Sequence, residues 1–375
     1  MRILHLSDSS LPDWRIEKSA YSSKKRGDAV YFGGNNPFNH KSIFDKVYDV
    51  NWSSKARNKF PFYWNSVKKK ISGVIKEVKP DIIHAHNIFS AAIVKEIDDY
   101  PLVYDNHEYW TMYTKTQLET FESYKRQGND DLKHFSQNLF RKQINNRFAR
   151  IWSKAEKELV EEKPTITVSN SIVEDLLKIG KRIYLVPNFP TFKEVESIPE
   201  PLYHESASSV YAGVESKGQF AVSHRNIDGL FNIFEKSNIG LLFVLGWSDN
   251  SSIKVIFRGY LNKEQMYQEM QNHSVGLIPF KKHWFHQYSS PNKAYEYTHA
   301  GLFVLNTLGL KSITETLQEH CMQFENYSDL ETKMGELFQD LDFLHKKRLK
   351  VYRFARNHLL WEHFERNIFD CYKIC

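Results

Sequence analysis

The sequence predicts an α/β fold built from two doubly wound, Rossmann-like domains. Three observations predict it. The chain has 375 residues, enough for two domains with a core each. It opens on strand, helix, glycine, strand, and such units recur on both sides of a proline-marked stretch at 189–208. Its strands read as short, continuous apolar runs rather than alternating ones, as parallel strands covered on both faces do.

Taken in order, residues 2–7 form a buried-type strand. Ile16, Ala20 and Tyr21 give 16–26 a helical spacing, Gly27 caps that helix, and 29–32 is the second strand. The loop at 8–14 has no glycine pair, and Gly33-Gly34 after the second strand reads as a turn. Residues 62–79 form a helix with Val67, Ile71, Val74, Ile75 and Val78 on one face, stopped by Pro80. Strands follow at 81–85 and 102–105, ending in His84-Ala85-His86-Asn87 and Asn106-His107-Glu108. Polar residues past the C-terminal ends of parallel strands are where such sheets take ligands. Residues 132–160 form a long helix in which Arg141, Lys142, Arg147, Arg150, Lys154 and Lys157 interleave with apolar positions. That is either a core helix with a solvated basic face or a surface for anionic lipid or an acceptor. Strand, helix and strand recur at 165–168, 170–179 and 183–186.

Residues 189–208 are a linker carrying Pro190, Pro199 and Pro201. A second α/β series starts at 209–213. Lys217 and Arg225 precede a helix near 226–236, and strands are expected at 239–245, 254–257 and 275–278. Residues 258–261 form a turn. Ser290 is expected to cap a helix with Pro291 in its first turn. Asn292, Lys293 and Glu296 then share one face. Gly301 ends that helix before a strand at 302–306. A helix start above a parallel strand end suits an anion, and a carboxylate two turns in suits the paired hydroxyls of a ribose. The rest is mostly helical, ending in a helix at 364–372.

Composition narrows the class. Hydrophobic residues make up 41% and charged residues 26%, ordinary for a globular protein, and no apolar run nears the roughly 18 residues of a spanning helix. Cys321, Cys371 and Cys375 have no metal-ligand spacing, so a reducing cytoplasm is expected. Residues 1–190 hold 31 Lys+Arg against 23 Asp+Glu, a net +8, while the remainder nets −2. The basic half is expected to meet something anionic. His86, His107 and Glu108 match no zinc signature, and no metal site is expected.

Pro291, Lys293, Glu296, Tyr297 and Gly301 stand in the P-x-K-x-x-E-Y-x-x-x-G register of a donor segment. With the Asp105–Glu108 run, the Thr167-Val168-Ser169-x-Ser171 and Val186-Pro187-Asn188 passage, and Trp361-Glu362, this resembles the large retaining family 4 of GT-B glycosyltransferases. The resemblance implies two Rossmann-like domains facing across a cleft, with a C-terminal helix crossing back to the first. The expected boundaries are 1–190 with 359–375 for the acceptor-side domain, 191–208 for the linker and 209–358 for the donor domain. It implies metal-independent transfer of a sugar from a nucleotide diphosphate sugar to an acceptor hydroxyl, in glycan or glycolipid synthesis. No cofactor is expected beyond that co-substrate. Glu296 is expected on the ribose; Lys293, Arg225, Lys217, Ser289, Ser290, Pro291 and Asn292 around the donor; Tyr288 where the family's first glutamate stands; Gly259 and Tyr260 near the base. His107 and Glu108 are the expected catalytic pair. Expected partners are the nucleotide-sugar donor, a glycan or lipid-linked acceptor and an anionic membrane surface, with no nucleic acid. The tyrosine at 288 and the loop at 8–14 depart from the family pattern. They keep two alternatives open: a GT-B epimerase, and a non-catalytic membrane-associated relative.

Overall fold

The computed structural model describes residues 1–35, 43–53, 55–97, 99–125, 132–213 and 223–375. The chain forms two compact units, Met1–Asn188 with Phe364–Cys375, and Phe189–His363.

The first unit holds a seven-stranded sheet: β1 (Arg2–Ser10), β2 (Ala29–Asn35), β3 (Lys46–Asp49), β4 (Ile82–His86), β5 (Leu102–Asn106), β6 (Thr165–Thr167) and β7 (Ile183–Leu185). Its order is β3-β2-β1-β4-β5-β6-β7, with every pairing parallel. The sequence order reverses between β1 and β4, the switch point of a doubly wound sheet. The helix Pro61–Val78 shows how the faces are covered. Trp64, Val67, Ile71, Val74, Ile75 and Val78 are its buried residues, spaced three and four apart along one stripe. At about 1.5–3 kcal/mol for each fully buried large apolar side chain, that stripe holds the helix to the unit. Lys79 ends it in the left-handed conformation and Pro80 forbids its continuation.

Gly33 and Gly34 lie inside β2, not in a turn after it. A Cβ at Gly33 would meet the Leu6 side chain at 2.7 Å. At Gly34 it would meet the Phe32 ring closer still. These glycines thin a crowded strand. The C-terminal helix Glu365–Lys373 buries Ile368, Cys371 and Tyr372 within this unit. Ser22 donates to Glu365 at 2.8 Å, and Asn367 donates to the Leu185 carbonyl at 2.8 Å.

The second unit holds β8 (Ser208–Ala212), β9 (Leu241–Leu245), β10 (Val255–Gly259), β11 (Val275–Ile278), β12 (Phe303–Thr307) and β13 (Cys321–Phe324). Their order, β10-β9-β8-β11-β12-β13, repeats the first six strands of the other sheet and is again parallel. Its switch point lies between β8 and β11. Among the described residues no helix is long and apolar enough to cross a membrane.

Candidate active site

At the first switch point, sheet register decides which side chains meet. His5 on β1 pairs with His84 on β4, and His86 pairs with Asp105 on β5. Residues in lateral register share a face, and so do residues two apart on a strand. His5, His84, His86 and Asp105 therefore project together, while Ile83 and Ala85 go to the other face. His107 follows in the turn after β5. Glu156 fixes that turn: its carboxylate accepts from the Trp110 and Thr111 amides at 3.0 and 2.7 Å and from Asn106 Nδ2 at 3.1 Å.

The hub is Asp105. Arg15, from the first helix, grips it with Nη2 at 2.7 Å from Oδ1 and Nε at 3.0 and 3.1 Å from the two oxygens. The same guanidinium reaches the Val186 carbonyl at 2.9 Å and Asn188 Oδ1 at 2.7 Å, which ties the V-P-N passage to the site. Burial alone raises the Asp105 pKa; Arg15, His107 and the histidine hydrogen bonds outweigh it and hold the group well below the usual carboxylate range. An ionised carboxylate only accepts, so the proton positions follow. His84 turns Nε2–H to Oδ2 at 3.2 Å, leaving Nδ1 to accept from Tyr372 Oη at 2.8 Å. His86 turns Nδ1–H toward Oδ2 at 3.2 Å, with His107 Nε2 3.1 Å from the same nitrogen. His86 Nε2 then accepts from His5 Nδ1 at 2.9 Å. Burial, before any neighbouring charge, lowers the pKa of His5, His84 and His86 and keeps them neutral. His107 thus presents Nε2 inward to Asp105 and His86, as an aspartate–histidine pair does in general acid–base sites.

His86 Nδ1, Asp105 Oδ2 and His107 Nε2 lie 3.1–3.5 Å apart, close enough to surround one metal ion. The donor chemistry argues otherwise. Oδ2 already accepts from Arg15 Nε and His84 Nε2, and the adjacent guanidinium would repel a dication. The cluster works as a hydrogen-bond hub. Asp8, at the end of β1, pairs with Arg57 at 2.6 Å, and burial raises its pKa. Glu108 is half-buried in the turn beside His107.

At the second switch point stands the helix Asn292–His299. Pro291 itself occupies its N-cap position, without a side-chain cap. Ser290, expected to be the cap, instead has its hydroxyl 2.9 Å from Tyr295 Oη. Proline's fixed φ and missing N–H suit either place, and the segment starts one residue later than its residue types suggest. Tyr297 bolts the helix to the sheet: Oη accepts from the Ala212 amide at 2.7 Å and donates to the Leu277 carbonyl at 3.2 Å, across β8 and β11. Gly276 is required beneath it, since a Cβ would fall 2.4 Å from the ring. Gly301 ends the segment at φ +74°, where a side chain would strike Pro201.

Lys293 Nζ lies 4.2 Å from the Tyr211 ring centroid and 5.3 Å from that of Phe280. It would stand 2.8 Å from any Cβ at Gly213. Burial of the ammonium, then the charge of Arg225, lowers its pKa from 10.5 to about 7. Glu296 accepts from Lys263 at 2.9 Å. Arg225 is exposed just after His224, Ser289 follows the turn Trp284–Tyr288, and Asn292 is exposed at the helix start. Gly259 closes β10 at φ +66° and Tyr260 beyond it is 86% exposed. Lys217 falls outside the described residues. The structure therefore brings Lys293 and Arg225 together near the end of β8, with Glu296 one turn further along the Lys293 helix, while Gly259 ends the edge strand and Tyr260 lies beyond it.

Residues 29–189 match the family model described as Glycosyltransferase Family 4. Sucrose-phosphate synthase from Thermosynechococcus elongatus superposes at a TM-score of 0.72 and 12% identity, over 100% of this chain and 98% of its own. Anabaena HepE in complex with UDP-glucose does so at 0.67 and 12%, over 100% of both chains. WaaG, a glycosyltransferase of lipopolysaccharide biosynthesis, follows at 0.60 and 13%, over 97% of this chain and 98% of its own. The chain shares the GT-B fold of these glycosyltransferases. No curated protein matches its sequence. Within this GT-B frame, sequence reasoning overlooked Arg15, Tyr372, Lys263 and Glu194. The His-x-His alternation on β4 was a usable signal for a shared face; Arg15 and Lys263, ordinary helix residues by pattern, carried none.

Proposed function

We propose that this protein is a glycosyltransferase that moves a sugar from a nucleotide diphosphate sugar to an acceptor hydroxyl, with retention and without a metal ion. The observation that carries the reading is Lys293: a desolvated ammonium beside a second cation, Arg225, at a switch point where Gly213, lacking a Cβ, lets the ammonium approach the end of β8. Such a pair is costly until an anion arrives, and a leaving diphosphate supplies one. Lys293 and Arg225 neutralise the charge that grows as the sugar–phosphate bond breaks, which is the work a metal would otherwise do. Glu296 accepts from the ribose hydroxyls. His107, oriented by Asp105 and His86, acts on the acceptor side with Glu108 beside it. Cleavage leaves a nucleoside diphosphate, and the acceptor oxygen takes the sugar and gives up its proton to the departing diphosphate oxygen. HepE, crystallised with UDP-glucose and with UDP, is a relative in fold that binds such a donor.

The acceptor is placed in this reading at an anionic membrane. Residues 1–190 net +8, and Phe62, at the start of the helix Pro61–Val78, is 79% exposed near Lys55 and Lys59. Each basic residue near such a surface contributes about 1 kcal/mol. Incubation with radiolabelled nucleotide sugars, with and without membrane lipid extract, tests the reaction. Label transfer that requires an acceptor supports it, whereas interconversion of the donor without acceptor means an epimerase. Flotation with anionic vesicles at low but not high salt is the expected membrane result; failure to float at low salt means a soluble acceptor or one delivered by a partner.

A further inference from the structure

Glu296 does not stand alone. Its Oε1 accepts from Lys263 Nζ at 2.9 Å, and the same ammonium lies 3.1 Å from Glu194 Oε1. All three side chains are largely enclosed, at 16%, 22% and 15% exposure for Glu296, Lys263 and Glu194. Both outer members are fixed from behind. Lys263 opens the helix Lys263–Gln271, whose N-terminus is held by a capping box between Asn262 and Gln265. Glu194 closes another capping box, its Oε2 accepting from the Thr191 amide at 2.6 Å. Lys263 is thus clamped between the carboxylates of Glu194 and Glu296. Burial would lower its pKa, but the charges of Glu296 and Glu194 outweigh it and keep the ammonium charged. One ammonium cannot neutralise two carboxylates. The trio keeps a net negative charge, and Glu296 Oε2 has no hydrogen bond from any described residue.

We infer that Lys263 is a positioning residue for the nucleotide ribose. Held by Glu194, it fixes the Glu296 carboxylate in one orientation and leaves Oε2 to accept from the ribose hydroxyls. The inference rests on the ribose role proposed for Glu296, and it extends the donor site to residues 191–195. It separates two functions among nearby cations. Lys293 and Arg225 meet the diphosphate, whereas Lys263 acts only through a carboxylate. Its removal should therefore be felt only by ligands that carry ribose hydroxyls.

Calorimetric titration of UDP and GDP, each beside its 2′,3′-dideoxy form, tests this on wild type, Lys263→Met, Lys263→Arg and Glu296→Gln. Wild type is expected to prefer the ribonucleotide by roughly tenfold or more, as loss of hydrogen bonds to a charged group implies. Lys263→Met should lower affinity for the ribonucleotide while leaving the dideoxy form within about twofold, and Lys263→Arg should restore most of the loss. Equal weakening of both ligands by Lys263→Met would overturn the inference, because that is what a general loss of positive charge does. So would an unchanged ribonucleotide affinity in Lys263→Met when Glu296→Gln is weakened. If Glu296→Gln binds like wild type, the ribose role of Glu296 fails and the inference fails with it. Thermal unfolding of each variant shows whether it is folded, and a poorly folded Lys263→Met is replaced by Lys263→Gln.

Discussion

Asp105, at the first switch point, is met by a guanidinium and two histidine N–H groups, whereas Lys293, at the second, faces an aromatic ring and another cation. The two sheets have the same strand order at these points, so topology does not cause the difference. The first site satisfies its buried charge from within the protein and so holds His107 in one orientation. The second leaves a cation poorly compensated and so gains from a ligand that brings negative charge. In the proposed reaction, rigid preorganisation serves His107 on the acceptor side. In the same proposal, stored electrostatic strain serves Lys293 on the donor side.

The contrast breaks most visibly at Asp105. Replacing it by alanine leaves Arg15 buried without its counter-charge, a loss of about 3–5 kcal/mol measurable by urea denaturation. Adding Arg15→Met should recover much of that loss, and no recovery would mean the pair is not the source. His107→Ala should leave the fold intact, lower turnover by roughly 100-fold, and keep nucleotide affinity within about twofold. Near-normal turnover in His107→Ala with an inactive His86→Ala would move the catalytic role to the wrong side of the pair. Glu296→Gln should weaken nucleotide binding roughly tenfold, from the loss of about 1.5–3 kcal/mol in a charged hydrogen bond.

The smallest effect concerns pH. The Lys293 pKa is lowered to about 7 in the free protein, and a bound diphosphate raises it. Below pH 7 the lysine is already charged. Above pH 7 binding must take up a proton, so affinity falls as pH rises, by at most about tenfold per unit. Titrations in buffers of different ionisation enthalpy should detect that uptake at pH 8. The slope should vanish in Lys293→Met, and a slope that persists there belongs to another group.

Much of the structure of segment 289–301 was legible because its determinants are local. The spacing of Pro291, Lys293, Glu296 and Gly301 lies within three turns of helix, and only the cap was misjudged by one residue. Gly33 and Gly34 were misread because a turn is the usual meaning of a glycine pair, and their reason, crowding by Leu6 and Phe32, depends on neighbours. The linker at 189–208 concealed a short capped helix for a similar reason. The contacts that organise both sites are distant in sequence. Arg15 and Asp105 are 90 residues apart, His84 and Tyr372 are 288 apart, and Lys263 and Glu296 are 33 apart. No periodicity reports such pairs. They follow from strand register and from helices closing over the sheet.

The central claim, a nucleotide-sugar site around Lys293 and Glu296, is tested most directly by thermal unfolding of the protein against a panel of UDP- and GDP-sugars. A ligand present at 100 times its dissociation constant adds about 2.7 kcal/mol, a shift of a few degrees. The account predicts that one nucleotide class raises the midpoint in wild type and that Lys293→Met and Glu296→Gln each reduce or abolish the rise. A panel with no effect on wild type, or equal rises in all three proteins, would contradict it.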